Sequence, residues 1–198
     1  GYEVIVCHCN VVGAQVIDEY AGAGRLDGVI DITPHDVGGM LFGGLMSCRP
    51  DRFANIYASG IPVLTVPGAV DFILKGPAGE VDEELLSRPH YRHTPFHTHI
   101  RTTREEMYRV GAYLAERHNG CKGRNAILVP EKGYSQQNAV GGLIYDPDAN
   151  RGFVQGVLEH KADSVEFRQR ELHINDPEFA DEIVAVFERL METGKGSG

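Results

Sequence analysis

The stretch GVIDITPHD at positions 28–36 predicts a β-strand that runs directly into a helix. Residues 28–32 are a short apolar run rich in β-branched side chains, which is typical of a buried strand. Pro34 suits the first turn of a helix, and Thr33 with Asp36 resembles a capping box. A strand followed by a helix is the repeating unit of proteins with a parallel sheet.

The same alternation continues along the chain in both directions. Strands are predicted at residues 4–9, 28–32, 61–66, 125–129 and 164–172. Helices are predicted over 12–20 and 50–59, and at helix starts marked by Thr103, Asp146-Pro147 and Asp176-Pro177. The expected fold is therefore α/β, with a mostly parallel sheet of five or six strands and helices on both faces, as in Rossmann-like or flavodoxin-like proteins.

Bulk composition limits the classes of function. The chain has 198 residues and a net charge of −9, so it suits one globular domain that repels nucleic acid. No apolar run reaches the length of a membrane span, and the four cysteines suggest no disulfide framework. We expect a cytoplasmic protein without nucleic-acid or membrane partners, with one domain over 1–193 and a flexible tail over 194–198. Because residue 1 is not Met and a strand follows at once, we also expect a C-terminal lobe of a longer protein.

Two segments break the alternation of strands and helices. Residues 67–102 and 131–145 read as long irregular loops, which in a compact domain are usually functional or form an interface. The first contains four histidines, namely His90, His93, His97 and His99. Their spacing fits no compact zinc site, so no metal is predicted. A solvated loop and an oligomer contact remain the two interpretations of this cluster.

Ligands of open α/β sheets bind outside the carboxyl ends of the strands, and polar residues concentrate there in this sequence. The candidate acid–base groups are His173, His8 and His35. The candidate ligand-binding residues are Thr33, Gly68, Asp71, Arg101, Thr102, Thr103, Lys132, Gly133, Ser135 and Asn175. Helix N-termini and an arginine fork hold carboxylate or phosphate groups, so a small anionic ligand is expected.

Structural interpretations of the same residues stay open. Thr33 and Thr103 are explained by helix capping, and Arg101 by an ion pair with a surface glutamate. The loop around Gly133 is not a phosphate-binding loop, since it lacks the spaced glycine and the Gly-Lys-Ser ending. Ser135 lacks the elbow sequence of a hydrolase nucleophile.

Taken in order, the motifs resemble the C-terminal half of the uncharacterised family named after the tomato mosaic virus resistance protein. The residues that carry the resemblance are Asp31 to Asp36, Gly43-Gly44, Arg49 to Arg52, Gly60 to Pro62, Val66 to Asp71, Arg101 to Thr103, Pro130 to Ser135, Gly141-Gly142, Tyr145 to Pro147 and His173 to Pro177. They span nearly the whole chain. No one of them is specific, but the ordered set is.

The resemblance implies a protein of about twice this length, with an α/β lobe preceding this one and self-association as a homodimer. Family members are commonly labelled ATP-binding, and that label belongs mainly to the preceding lobe. No cofactor is therefore expected within this chain, and ATP is expected, if anywhere, in the N-terminal lobe.

Two functions follow from the sequence. The first is an enzyme, or half of one, acting on a small anionic metabolite at the carboxyl edge of the sheet. The alternative is a non-catalytic, nucleotide-dependent interaction and dimerisation module, whose edge residues form an interface.

Overall fold

The structure is a computed structural model that describes residues 1–8 and 11–192. Its helices are α1 (Val11–Gly22), α2 (His35–Phe42), α3 (Ala54–Ser59), α4 (Glu83–Leu86), α5 (Arg104–Asn119), α6 (Pro147–His160) and α7 (Pro177–Glu192). Its strands are β1 (Val29–Asp31), β2 (Val63–Thr65), β3 (Phe72–Lys75), β4 (His90–Thr94), β5 (His97–Arg101), β6 (Asn125–Pro130) and β7 (Glu166–Arg170). Two short 3₁₀ helices lie at Ala78–Glu80 and Gln136–Asn138. The predicted tail at 194–198 lies outside the described residues.

Among the described residues, the main sheet has four parallel strands in the order β1-β2-β6-β7. Strand β6 is buried along its whole length, which explains its continuous apolar sequence. Ala126 and Leu128 pack against α7 on one face, whereas Ile127 and Val129 pack against α5 and α6 on the other. The α/β class with helices on both faces is therefore confirmed, with four parallel strands rather than five or six.

The predicted strand at residues 4–9 does not form in the described part of that segment. Residues 1–8 belong to no helix or strand, Cys9 lies outside the described residues, and Val4 and Val6 are 74% and 87% exposed. A cavity of about 990 Å³ separates this segment from β1, which has one strand neighbour in the described chain. Apolar, β-branched residues form a strand only where they can pair with a neighbouring strand, and residues 4–8 have no such neighbour in the described chain.

The predicted loop at 67–102 is wrong over much of its length, because it contains a second sheet. Strands β3, β5 and β4 pair antiparallel in that order, with Leu74 opposite His99 and Tyr91 opposite His99 on the other side. Strands β4 and β5 contain several polar histidines, so a prediction based on apolar residues does not find them. The second loop, over 131–145, is irregular apart from one 3₁₀ turn.

The predicted capping box at Thr33 is also wrong. Helix α2 begins at His35, and no side chain caps it. Asp36 turns inward instead, where its carboxylate pairs with Nε of Arg52 at 2.9 Å. Asp31 pairs with Nη1 of the same arginine at 2.7 Å, so one buried guanidinium serves two carboxylates. Leaving a buried charge unpaired costs more free energy than losing a helix cap, so Asp36 pairs with Arg52.

Other signals of helix starts are confirmed. Thr103 and Glu106 form the predicted capping box of α5, and Asp146 caps α6 through the amide of Ala149. Helix α7 begins at Pro177, as predicted. None of the helices within residues 1–8 and 11–192 is both long and apolar enough to cross a bilayer.

Helices α5 and α6 pack backbone to backbone through three glycines, Gly111, Gly152 and Gly156. A Cβ at Gly156 would lie 2.1 Å from the carbonyl oxygen of Tyr108, and one at Gly111 would lie 2.3 Å from that of Phe153. Such distances leave no room for a methyl group, so the helices must separate if one is added.

We therefore expect Gly156→Ala to lower the free energy of unfolding by about 1–3 kcal/mol, the usual cost of overpacking. Gly120→Ala is the matched control, because its Cβ would meet its nearest neighbour at 3.5 Å and its φ of −84° suits alanine. Urea unfolding of both variants measures the difference. Equal stability of the two would show that the helix pair yields more easily than its geometry indicates.

Candidate functional site

Asp71 lies immediately before β3, where the chain leaves the parallel sheet for the antiparallel one. The residue is 0% exposed, and its Oδ2 accepts a 2.7 Å hydrogen bond from the Ser135 hydroxyl. Its backbone carbonyl accepts two more, from the Thr102 amide at 3.2 Å and from Nη1 of Arg101 at 2.8 Å. Burial raises the pKa of the Asp71 carboxyl, against the smaller opposing effects of Ser135 and Arg101.

Two buried polar atoms of this group lack a hydrogen-bond partner among the described residues. They are Oδ1 of Asp71 and Nε of Arg101. An unpaired buried acceptor or donor costs about 1–3 kcal/mol, so such atoms are rare in folded proteins and call for an explanation. One explanation is a ligand or a water that completes the two bonds.

His173 connects the ends of β6 and β7. Its Nε2 lies 3.0 Å from the backbone carbonyl of Ser135, so this nitrogen carries a proton and donates it. Its Nδ1 accepts from the backbone N–H of Asn175 at 3.2 Å. Both ring nitrogens are thus bonded to the backbone, so in this structure His173 positions the loops, and its acid–base role stays a prediction. The contact to the carbonyl of Ser135, not to its hydroxyl, also rules out a Ser-His-Asp arrangement in this conformation.

The backbone around this group is tightly constrained. Gly133 has a φ of 145°, and a Cβ there would lie 2.7 Å from the ring of His173. A Cβ at Gly68 would lie 2.3 Å from the carbonyl oxygen of Ile32. Ala69, between these turns, has a φ of 57°, which is unfavourable for a residue with a side chain. Such strain clusters at functional sites.

Arg101 is 2% exposed, and its guanidinium is committed to the fold. Nη1 donates to the Asp71 carbonyl and to Oγ1 of Thr102 at 2.9 Å. Nη2 donates to the backbone carbonyl of Asp146 at 3.0 Å and to Oδ1 of Asn150 at 2.7 Å. The predicted role as a donor to an external anion is therefore not available to either terminal nitrogen.

The N-terminus of α5 is occupied in a similar way. The amide of Thr103 donates to Oε2 of Glu106 at 2.8 Å, and Arg88 pairs with the same carboxylate at 2.9 Å. The carboxylate of Glu106 thus occupies the place at the N-terminus of α5 where an external anion would bind. We assign Thr103 to the fold rather than to a ligand.

A stack of rings lies next to Asp71, and the sequence analysis placed it outside the site. The ring of Phe72 stacks on His99 at a centroid distance of 4.0 Å, and His99 stacks on His93 at 4.8 Å. The hydroxyl of Tyr91 is 2.7 Å from Nδ1 of His99. The charge of Asp71 contributes to raising the pKa of Tyr91 to about 12, after the larger effect of burial.

Burial, with smaller contributions from the charges of His93, His35 and His97, lowers the pKa of His99 to about 4. His35 therefore lies within electrostatic reach of the ring stack from the start of α2. Its own ring makes one hydrogen bond in the described chain, a weak 3.4 Å contact between Nδ1 and the Thr33 carbonyl. The structure thus brings His35 together with the histidine cluster.

A signal for this arrangement was present in the sequence. Tyr91 with His93, and His97 with His99, are spaced two apart, which is the period of one face of a strand. A test for alternation of polar aromatic rings, rather than of apolar residues, would have found both strands. Within residues 1–8 and 11–192, no three His, Cys, Asp or Glu side chains are placed to hold a metal ion.

The remaining predicted residues fall into two places. Gly68, Asp71, Arg101, Thr102, Gly133, Ser135, His173 and Asn175 belong to one connected region at the carboxyl edge, with Lys132 exposed beside it. His8 and Thr33 instead line the cavity beside β1, whose polar end also includes Asp31, Asp36 and Arg52.

Comparisons with known proteins agree on one family. Residues 1–191 match the C-terminal domain of the uncharacterised protein family UPF0261. A UPF0261 protein of Rhizobium meliloti is 32% identical over 188 residues, which are 94% of this chain and 47% of that protein. A UPF0261 protein of Clostridium tetani is 31% identical over 97% of this chain and 48% of its own length. The ToMV resistance protein Tm-1 of Solanum lycopersicum is 33% identical over 94% of this chain and 25% of its own length.

The chain therefore spans about half the length of the bacterial relatives it matches and a quarter of the tomato protein. The resemblance drawn from the motifs is confirmed at the level of the family.

Because the buried Arg101 donates four hydrogen bonds within the fold, we expect its removal to lower the stability of the protein. Arg101→Ala should lower the free energy of unfolding by at least about 3 kcal/mol, because it leaves several buried acceptors without a donor. Arg104→Ala is the control, since its ion pair with Asp148 is half exposed and worth at most about 1 kcal/mol. Chemical denaturation measures both. A neutral effect at position 101 would return this arginine to the list of ligand-binding residues.

Proposed function

This chain belongs to the uncharacterised protein family UPF0261, and we propose that it is a lobe of a two-lobe enzyme acting on a small anionic metabolite. The proposed site is the carboxyl edge of the parallel sheet, around Asp71, Ser135 and the ring stack of β4 and β5. One observation carries the proposal: a fully buried carboxylate at the ligand-binding edge retains an oxygen without a partner. Natural folds seldom keep such an atom without a use for it.

Ser135 provides the access to this carboxylate. Its side chain is half-buried and donates to Oδ2 of Asp71, so it is the partly exposed neighbour beside which a ligand would approach the acid. The ligand then supplies an O–H or N–H to Asp71 and receives hydrogen bonds from the surrounding imidazoles. His35 is the acid–base candidate of this site, since imidazole is the commonest acid–base group in enzymes and the ring of His35 is held only by a weak contact to the Thr33 carbonyl.

The longer relatives support the two-lobe part of the proposal, because each bacterial relative has a further half that this chain does not match. We place ATP, if the protein uses it, in that preceding lobe, and we propose cytoplasmic location. Within this chain the proposed ligand is the metabolite, and no cofactor is assigned.

A screen on the full-length protein tests the site. Thermal shift with hydroxy acids, oxo acids, sugar acids and nucleotides should identify a stabilising compound, and Ser135→Ala should weaken its binding by about tenfold. Ser87→Ala is the control, because that hydroxyl bonds only within its own helical turn, at 2.6 Å to the Glu84 carbonyl. Equal binding by wild-type protein and the Ser135 variant would remove the carboxyl edge as the site.

A second candidate function has its own observation. Three large apolar side chains in or near the two loops are exposed: Phe96 at 71%, Val140 at 85% and Leu143 at 63%. Exposed apolar side chains are favoured at interfaces between proteins. They support the alternative of a dimerisation and interaction module.

If that alternative holds, the protein is a homodimer, and Phe96→Ser with Val140→Ser should weaken it by at least about tenfold. Val184→Ser is the matched control, because Val184 is also exposed but lies on α7. Sedimentation over a range of concentrations measures the dissociation constant. A monomer at all concentrations, or loss of the dimer in the control, would contradict this surface.

A further inference from the structure

The pair of Tyr91 and His99 fixes the position of one proton in the proposed site. The two atoms are 2.7 Å apart, which suits an O–H···N bond better than the longer N–H···O bond. A phenol is a good donor and an unprotonated ring nitrogen a good acceptor, so the hydroxyl donates to Nδ1. The proton of the neutral ring must then lie on Nε2 of His99.

The ring is held in this orientation by its neighbours. Phe72 covers one face of His99 and His93 covers the other, at 4.0 and 4.8 Å. No hydrogen bond to Nε2 of His99 is formed within the described residues, so this N–H is available to an oxygen of a ligand. His99 differs in this respect from His118, whose two ring nitrogens are both bonded, to Asn125 and Thr65.

Burial, more than the neighbouring groups, keeps His99 neutral. Burial disfavours its protonation, and the titratable groups that face it are His93 and Tyr91 on β4, His97 on β5 and His35 on α2. None of these four carries a negative charge, and burial, which raises the pKa of Asp71, also disfavours a negative charge on the acid beside the stack. The ring therefore acts as a neutral donor, which suits a carbonyl or carboxylate oxygen better than a phosphate dianion.

Asp71 imposes the second requirement on the ligand. Its Oδ1 lacks a donor among the described residues, and its charge contributes to raising the pKa of Tyr91, the phenol that bonds His99. A ligand that satisfies both groups needs an acceptor oxygen for His99 and a hydroxyl for Asp71. The nearest arginine, Arg101, has both terminal nitrogens committed, so no guanidinium fork is offered for a phosphate.

We propose that His99 is a neutral Nε2–H donor whose tautomer is set by Tyr91, and that the site binds a small hydroxy acid through His99 and Asp71. This inference rests on the proposed function, because it names the ligand class of the same site. It adds a specificity-determining residue that lies in a segment first interpreted as a loop.

Nitrogen-15 NMR of the full-length protein tests the tautomer directly. His99 should show a protonated Nε2 and an unprotonated Nδ1 from pH 8 down to about pH 5, because its pKa lies near 4. D-glycerate should shift the Nε2 signal, whereas glycerol and inorganic phosphate at the same concentration should not. A proton on Nδ1, or titration near the ordinary pKa of about 6.5, would overturn the proposal.

Variants separate a binding role from a structural one. His99→Phe should weaken D-glycerate binding by about tenfold, and Tyr91→Phe by about fivefold, whereas His99→Gln should restore it to within about twofold because its amide N–H replaces Nε2–H. Tyr108→Phe is the control, because Tyr108 also bonds a histidine, His160, at 3.1 Å and lies on α5 outside the proposed site. Circular dichroism checks that each variant is folded.

The outcomes distinguish this inference from the function on which it rests. If another compound binds at the edge and depends on Ser135 but does not shift His99, the ligand class is overturned and the site stands. If no compound binds at the edge at all, the proposed function fails together with the ligand class. Binding of D-glycerate that survives His99→Phe overturns the role of His99 alone.

Discussion

The carboxylate of Asp71 is the constraint on which the arrangement of this edge depends. Its backbone carbonyl accepts hydrogen bonds from Arg101 and Thr102 at the end of β5. Its side chain accepts one from Ser135, in the loop after β6. The parallel and antiparallel sheets are thus joined at one buried acidic residue. A buried carboxylate is stable only when donors surround it, so the position of each neighbouring segment follows from this requirement.

The same constraint gives the edge its chemistry. A donor from the protein satisfies one oxygen of Asp71 and leaves the other without a partner among the described residues, while the ring stack beside it presents the imidazole of His99, which burial keeps neutral. Groups of this kind bind polar ligands through hydrogen bonds more than through charge. His173 and Arg101, which resembled catalytic and anion-binding residues, hold the loops and strands in place around the acid.

The sequence predicted features whose cause is local. Capping at Thr103, proline starts at Pro147 and Pro177, and the apolar run of β6 are decided by neighbouring residues, and the structure confirms them. It failed where the cause is distant. Asp36 does not cap α2 but pairs with Arg52, sixteen residues away. Strands β4 and β5 form because they pair with each other. The commitment of Arg101 to Asn150, 49 residues away, was likewise invisible to local patterns.

The central claim is that Asp71 keeps one carboxylate oxygen for a ligand. Carbon-13 NMR of the Asp71 carboxyl group, titrated with and without the compound found by screening, tests it most directly. The account predicts a pKa above the ordinary value of about 3.9 in the free protein, and a changed carboxyl shift when the compound is bound. A pKa at or below the ordinary value, or a carboxyl shift that does not respond to the bound compound, would contradict it.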